Sequence, residues 1–229
     1  MFVKICGLTS EEDALLAVGM GADALGFNFV PGSKRQIAPQ RARDIVRRLP
    51  PETMTVGIFR DELPDRVVDI THKAGLRAAQ LHGRETAEHT RAVRAQVPIV
   101  VKAFSAGDPA LGSVGAFGAD LVLIDGAEPG SGEVFDWSLA EGAPLAGHRV
   151  LLAGGLHPGN VADAIRRVRP WGVDVASGVE RAPGKKDPVK LREFVANARA
   201  AAEELRTNDD DETDTASGSL YNWEEDLLS

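Results

Sequence analysis

Phe2-Val3-Lys4-Ile5-Cys6-Gly7-Leu8-Thr9 is a short apolar run interrupted by one lysine and followed by a turn with a single glycine. Such a strand can open a doubly wound sheet or a closed (β/α)8 barrel, and the turn separates the two. A doubly wound nucleotide-binding sheet concentrates its phosphate-binding glycines directly after the first strand. Here the glycines that stand behind strands cluster late, at Gly154-Gly155 and at Gly178. In a barrel the loops after the seventh and eighth strands are a frequent phosphate site. The placement favours the barrel.

Working outward, seven further β-branched apolar runs follow: Ala24 to Asn28, Thr55 to Phe59, Ala78 to His82, Ile99 to Ala103, Leu121 to Asp125, Val150 to Ala153 and Gly172 to Ala176. Their mean spacing of about 25 residues suits one strand, one helix and two short loops per unit. Between them, Glu11 to Val18, Pro39 to Arg48, Pro64 to Ala74 and Glu85 to Ala95 place apolar residues three and four apart, the period of an amphipathic helix. Thr9 or Ser10 ahead of acids, and Pro39 and Pro64 near first helical positions, are helix-start signals. The last helix is expected over Pro188 to Leu205. The fold class is therefore α/β, an eight-stranded parallel TIM barrel over residues 1–206.

Beyond Arg206 the composition turns to Asn, Asp, Glu, Thr, Ser and Gly, which buries too little apolar surface to offset ordering entropy. Residues 207–229 are expected to be a disordered acidic tail. The net charge of −8 belongs to this tail, which holds eight acids and no lysine or arginine, leaving 26 acids against 26 bases elsewhere. A neutral body without a basic stripe gives no footprint for nucleic acid. No apolar run approaches the roughly 20 residues that span a bilayer, and the N-terminal residues lack the pattern of a secretory signal. With one cysteine, Cys6, no internal disulfide can form. The expectation is a cytoplasmic enzyme. His72, His82, His89, His148 and His157 show no metal-ligand spacing, so no metal is expected.

Barrel chemistry sits at the C-terminal ends of the strands. Strand one ends in Cys6, which reads either as a small buried hydrophobe or as a reactive thiol. Strand six ends in Asp125, either a turn cap or a reactive carboxyl. In an eight-strand ring, strands one and six face each other across the mouth, as an acid and base pair would. Gly154 and Gly155, with Ser177 and Gly178, can present backbone N–H groups to an anion, although paired glycines are also ordinary turn residues. Arg35 could hold a planar carboxylate through two parallel hydrogen bonds, or belong to a solvated loop. Gln80 and Asp174, at two further strand ends, could bind substrate hydroxyls or be structural.

Taken together, several ordered segments resemble the phosphoribosylanthranilate isomerase family over essentially residues 2–200. They are Lys4-Ile5-Cys6-Gly7-Leu8-Thr9, Gly26-Phe27 leading to Ser33-Lys34-Arg35, Gln80-Leu81-His82-Gly83, and Leu123-Ile124-Asp125. The series continues with Gly130-Ser131-Gly132 to Phe135-Asp136-Trp137, Ala153-Gly154-Gly155-Leu156 with Pro158 and Asn160-Val161, and Val173-Asp174-Val175 through Ser177-Gly178-Val179-Glu180. The resemblance implies an Amadori rearrangement of an aminoaldose phosphosugar in tryptophan biosynthesis, with no cofactor. It implies Asp125 as general acid, Cys6 as base, Arg35 on the anthranilate carboxylate, Asp174 on a ribose hydroxyl, and the glycine loops with Ser177 on the phosphate. A monomer or homodimer acting on this small phosphosugar is the implied assembly. The chain departs from the family pattern at Pro129-Gly130-Ser131-Gly132 and at Ala176, where a serine is common.

Two other phosphosugar barrels fit less well. The histidine-pathway aminoaldose isomerase would place an aspartate at the end of strand one and another on strand five, where this chain has Cys6 and Lys102. A pentose-phosphate epimerase would need a metal-binding set of His and Asp. A non-catalytic phosphate-binding scaffold is a third reading, but such a protein needs neither an acid nor a base.

Overall fold

The computed structural model describes residues 1–126 and 147–217, with side chains described through residue 207. The loop motifs at 130–137 and the chain end at 218–229 lie outside the described residues.

Eight strands close a parallel barrel in chain order: β1 (Phe2–Ile5), β2 (Ala24–Asn28), β3 (Met54–Phe59), β4 (Ala78–Leu81), β5 (Ile99–Ser105), β6 (Leu121–Asp125), β7 (Arg149–Leu152) and β8 (Gly172–Val175), with β8 pairing back onto β1. Because side chains alternate along a strand, each strand feeds two cores. Val3 and Ile5, Leu25 and Phe27, and Val173 and Val175 point outward and pack under the helices. Val56, Ala78, Val101, Leu123 and Leu151 point inward and fill the barrel with Phe2, Met54 and Ile99. The inward set includes Lys4, Cys6, Gln80, Asp125 and Asp174 by the same parity, so the apolar filling gives way to polar groups toward the strand ends.

The first helices follow the sequence reading closely: α1 (Glu11–Gly19), α2 (Pro39–Val46), α3 (Pro64–Ala74) and α4 (Ala87–Arg94). Ser10 caps α1 by accepting from the Asp13 N–H, and Pro39 and Pro64 occupy first-turn positions. Helix α4 begins two residues later than Glu85 because Thr86 is its N-cap, accepting from the His89 N–H at 3.2 Å. Glu85 is spent elsewhere. It accepts from the N–H groups of Asp61 and Gly83 and from Lys102, tying the loops after β3 and β4 to β5.

Between β5 and β6 the connection is 3-10 over Pro109–Phe117, broken by a non-helical Ser113. Gly112, Ser113 and Gly115 are poor α-helix formers, which accounts for the shorter turns. After β7 comes α5 (Val161–Val168), and after β8 a hairpin, β9 (Glu180–Ala182) with β10 (Lys185–Lys186), which the sequence reading does not anticipate. The last helix, α6 (Pro188–Ser217), runs past the expected end at Leu205 into the segment expected to be disordered. No glycine or proline interrupts 189–217, so the sequence holds no breaker before Gly218. Among the described residues no helix is long and apolar enough to cross a membrane.

Candidate active site

A cleft at the C-terminal end of the barrel is lined by Cys6, Arg35, Gln80, Asp125, Gly154, Gly155, Asp174 and Ser177. Each sits where barrel geometry puts it: Cys6 one residue past β1, Asp125 at the end of β6, Gly154-Gly155 in the turn after β7, and Ser177 just beyond β8. Gly178 does not line the cleft. A Cβ there would lie 1.9 Å from the Leu156 carbonyl oxygen, so close packing demands that glycine. The cleft also includes His82, Asn28 and Ala176.

Cys6 is anchored by its backbone, which donates to Val175 O at 2.8 Å and accepts from Lys186 Nζ at 2.6 Å. Two inward residues crowd its side chain. Gly26 leaves no room beside it, since a Cβ there would stand 2.9 Å from Cys6 Sγ. Below it on the same face of β1 lies Lys4, 1% exposed and paired at 2.8 Å with Asp174 Oδ1 on β8, its partner in register. Burial raises the Cys6 thiol pKa above its ordinary value, and the Lys4 charge is the foremost influence against that rise. Burial also opposes the Lys4 charge, but Asp174 more than offsets it and holds the ammonium above its usual range.

Asp125 faces Cys6 from the other side of the cleft. One carboxylate oxygen accepts from the Gly126 N–H at 2.8 Å, and the other lies 3.1 Å from His82 Nε2. The opposite ring nitrogen of His82, Nδ1, is 2.7 Å from the Gln80 amide nitrogen. Gln80 is fully buried, and its Oε1 finds no hydrogen-bond partner. The amide expected to meet a substrate hydroxyl is thus engaged with an imidazole, and only its oxygen is uncommitted. His82 entered the sequence reading through a motif and the metal search alone; its inward parity with Gln80 on β4 was the available signal.

Arg35 is half-buried and grips Glu180 by two parallel bonds, Nε and Nη2 each at 2.8 Å from a carboxylate oxygen. Glu180 also accepts from the Gly184 N–H and from Lys186 Nζ, both at 3.2 Å. Burial works against its charge, yet Arg35 and Lys186 hold its pKa below the usual carboxylate range. Burial lowers the pKa of Lys186, whose ammonium also donates to the Ala176 carbonyl at 3.0 Å. The β9–β10 hairpin therefore fastens Arg35 to the ends of β1 and β8. Gly7, at φ +76°, clears the path of Arg35: a Cβ there would meet Arg35 Cδ at 2.4 Å. Lys4, Lys186 and Glu180 were not singled out from sequence for this network, although a lysine inside an apolar strand is itself a signal.

Gly154 and Gly155 both take positive φ, 85° and 65°, a pair of left-handed residues that turns the chain after β7 toward the cleft. Across the described residues no group of three or more His, Cys, Asp or Glu is arranged to hold a metal ion.

A family model described as N-(5'phosphoribosyl)anthranilate (PRA) isomerase matches residues 3–197. A protein of Trichlorobacter lovleyi named N-(5'-phosphoribosyl)anthranilate isomerase is 47% identical over 204 residues, 87% of this chain and 98% of that one. A crystal structure of phosphoribosyl anthranilate isomerase from Thermus thermophilus superposes with a TM-score of 0.82 at 45% identity, covering 87% of this chain and 99% of that chain. Another, described as the isomerase in complex with reduced 1-(o-carboxyphenylamino)-1-deoxyribulose 5-phosphate, gives 0.79 at 41% identity with the same coverage. The matched span holds the whole barrel together with the cleft just described, and on that ground the chain belongs to the phosphoribosylanthranilate isomerase family.

Proposed function

We propose that this chain converts N-(5'-phosphoribosyl)anthranilate to 1-(2-carboxyphenylamino)-1-deoxyribulose 5-phosphate in tryptophan biosynthesis, with Asp125 as general acid and Cys6 as general base. The observation that carries the reading is one cleft holding a thiol and a carboxyl on opposite walls, with Arg35 at one side and the Gly154-Gly155 turn at another.

Asp125, protonated, gives its proton to the furanose ring oxygen. The C1′–O bond breaks as the substrate nitrogen lone pair forms an iminium at C1′. The Cys6 thiolate then removes the C2′ proton, and the electron pair moves to neutralise the iminium as an enolamine. Ketonisation returns both groups to their starting states: the Asp125 carboxylate accepts the O2′ proton, and the Cys6 thiol delivers a proton to C1′. No electrons leave the substrate. The nitrogen itself supplies the electron sink.

The His82–Gln80 pair suits an acid that must alternate between two states. With the Gln80 amide nitrogen donating to Nδ1, the imidazole carries its proton on Nε2 and donates to Asp125 as carboxylate. With the amide reversed, Nδ1 donates to Oε1, and Nε2 accepts from Asp125 as the acid. Arg35 keeps its remaining Nη donors for the anthranilate carboxylate while Glu180 holds the other edge of the fork. Asp174 takes Lys4 on Oδ1 and borders the cleft, where a ribose hydroxyl would meet it. Gly154, Gly155, Ser177 and Gly178 form the phosphate end, with Ala176 supplying no hydroxyl. Residues 1–206 are the catalytic unit, in agreement with the family match ending at 197. The protein works in the cytoplasm as a monomer or homodimer, in keeping with its solitary cysteine and the family's substrate.

The test is fluorescence-monitored turnover of enzymatically generated phosphoribosylanthranilate by wild type, Cys6→Ala and Asp125→Asn. General acid and base groups each contribute about 100- to 10,000-fold, so both variants should fall by at least that much while remaining folded. Wild-type inactivity, or a variant that keeps full turnover, overturns the assignment.

A further inference from the structure

The interior of an (β/α)8 barrel is ordinarily filled by branched apolar side chains, yet here an ammonium and a carboxylate occupy it. Lys4 is 1% exposed and Asp174 7%, and their ion pair of 2.8 Å sits inside the ring. Burying such a pair costs several kcal/mol of desolvation per ion and is weak evidence for stability. Its location supplies a better reason. Lys4 and Cys6 are two residues apart on one strand, so their side chains share the inward face with Cα atoms about 6.6 Å apart.

We propose that Lys4 is a positioning residue for the base: its ammonium, clamped from β8 by Asp174, is the counter-ion that allows Cys6 to exist as a thiolate at the floor of the cleft. This rests on the acid and base reading above and extends it. The other charges facing the thiol act in mixed directions. Asp174 disfavours the thiolate, while Lys186 from the β9–β10 hairpin favours it, and Arg35 is close enough to interact with Cys6 as well. Asp125 and His82 border the same cleft. Among these groups Lys4 exerts the foremost favourable charge on Cys6 and also hydrogen-bonds toward it. Asp174 therefore has two opposed effects, holding Lys4 in place while repelling the thiolate.

That opposition makes the inference testable without substrate. Cys6 is the only cysteine in the 229 residues, so every thiolate signal reports it. The rate of iodoacetamide alkylation is followed against pH for wild type, Lys4→Met, Lys4→Arg and Asp174→Asn. An opposite charge at this range lowers a pKa by about 1 to 3 units, so Lys4→Met should move the alkylation midpoint upward by at least one unit. Lys4→Arg should restore most of it, and Asp174→Asn should move it downward. A Lys4 that merely fills space would leave the midpoint in place in Lys4→Met, and that result overturns the proposal. Should Lys4→Met fail to fold, Asp174→Asn decides alone, since an unchanged or raised midpoint there overturns the proposal equally. Loss of substrate turnover in the wild type with these shifts intact would sink the isomerase assignment and leave the ion pair's action on Cys6 standing.

Discussion

Gly26 and Gly57 sit on neighbouring, paired strands and point to opposite faces, and they separate the demands of catalysis from those of packing. A Cβ at Gly26 would lie 2.9 Å from Cys6 Sγ, 3.0 Å from Ile58 Cδ1 and 3.1 Å from Cys6 Cα. A Cβ at Gly57 would lie 2.9 Å from both Leu76 Cδ1 and Phe59 Cε2, on the helix-facing side. Non-bonded carbon contacts are comfortable at about 3.5 to 4.0 Å, so each alanine needs a retreat of roughly 0.6 to 1 Å by its neighbours. Overpacking of this order costs about 1 to 3 kcal/mol, and for a chain of this size each kcal/mol lowers Tm by about 2 to 4 °C. The two substitutions should therefore lose similar stability. They should differ in turnover, because only Gly26→Ala displaces the thiol, and a misplacement of about 1 Å can cost roughly 100-fold in rate. Calorimetry gives Tm and the fluorescence assay gives kcat for both. If Gly26→Ala is folded and turns over like wild type, the thiol's position is not what the β2 glycine protects, and the reasoning about the base fails with it.

Two further outcomes follow from the charges of the site. Arg35→Lys keeps the charge but loses the planar fork that joins Glu180 to a second carboxylate, and hydrogen bonds to charged groups are worth about 1.5 to 3 kcal/mol. KM should rise about tenfold or more, while the apparent pKa of Cys6 alkylation moves little; an unchanged KM removes Arg35 from substrate binding. The raised pKa of Cys6 has a consequence for stability, because a group whose pKa is higher in the folded protein contributes stability below its unfolded pKa and loses it as pH rises through the folded value. Between about pH 7 and pH 10, Tm of wild type should fall more steeply than that of Cys6→Ala. Parallel curves would show that the thiol titrates alike in both states.

The strand runs and their spacing were legible in the sequence because a parallel barrel strand is apolar on both faces, and such runs stand out between amphipathic helices. The strand-end rule then brought Cys6, Asp125, Asp174 and the Gly154-Gly155 turn to one rim. Less legible was what each side chain touches once there. Gln80 reads as a hydrogen-bonding group at a strand end, but whether its amide meets a hydroxyl or an imidazole depends on His82, which lies past β4, where parity weakens. Arg35 and Glu180 are 145 residues apart, and their pairing requires a hairpin whose short strands give little periodicity. The connection over Pro109–Phe117 departs from the one-helix-per-unit pattern because local glycines override the average.

What remains is why this barrel keeps so much buried charge at one end. Lys4, Asp174, Glu180 and Lys186 are each less than a tenth exposed, and an apolar filling of the same volume would be at least as stable. The pairs are arranged so that each carboxylate has two tasks. Asp174 holds Lys4 and borders the cleft, whereas Glu180 holds Lys186 and presents Arg35. In both cases the cation works on something else: Lys4 on the Cys6 thiol, Arg35 toward the carboxylate-binding side of the cleft. Removing one carboxylate should thus disturb a cation's aim before it disturbs the fold. Stability and turnover would then respond differently to Asp174→Asn than to a substitution in the apolar layer beneath, such as Val101→Ala. The first lowers kcat with little change in Tm, and the second does the reverse.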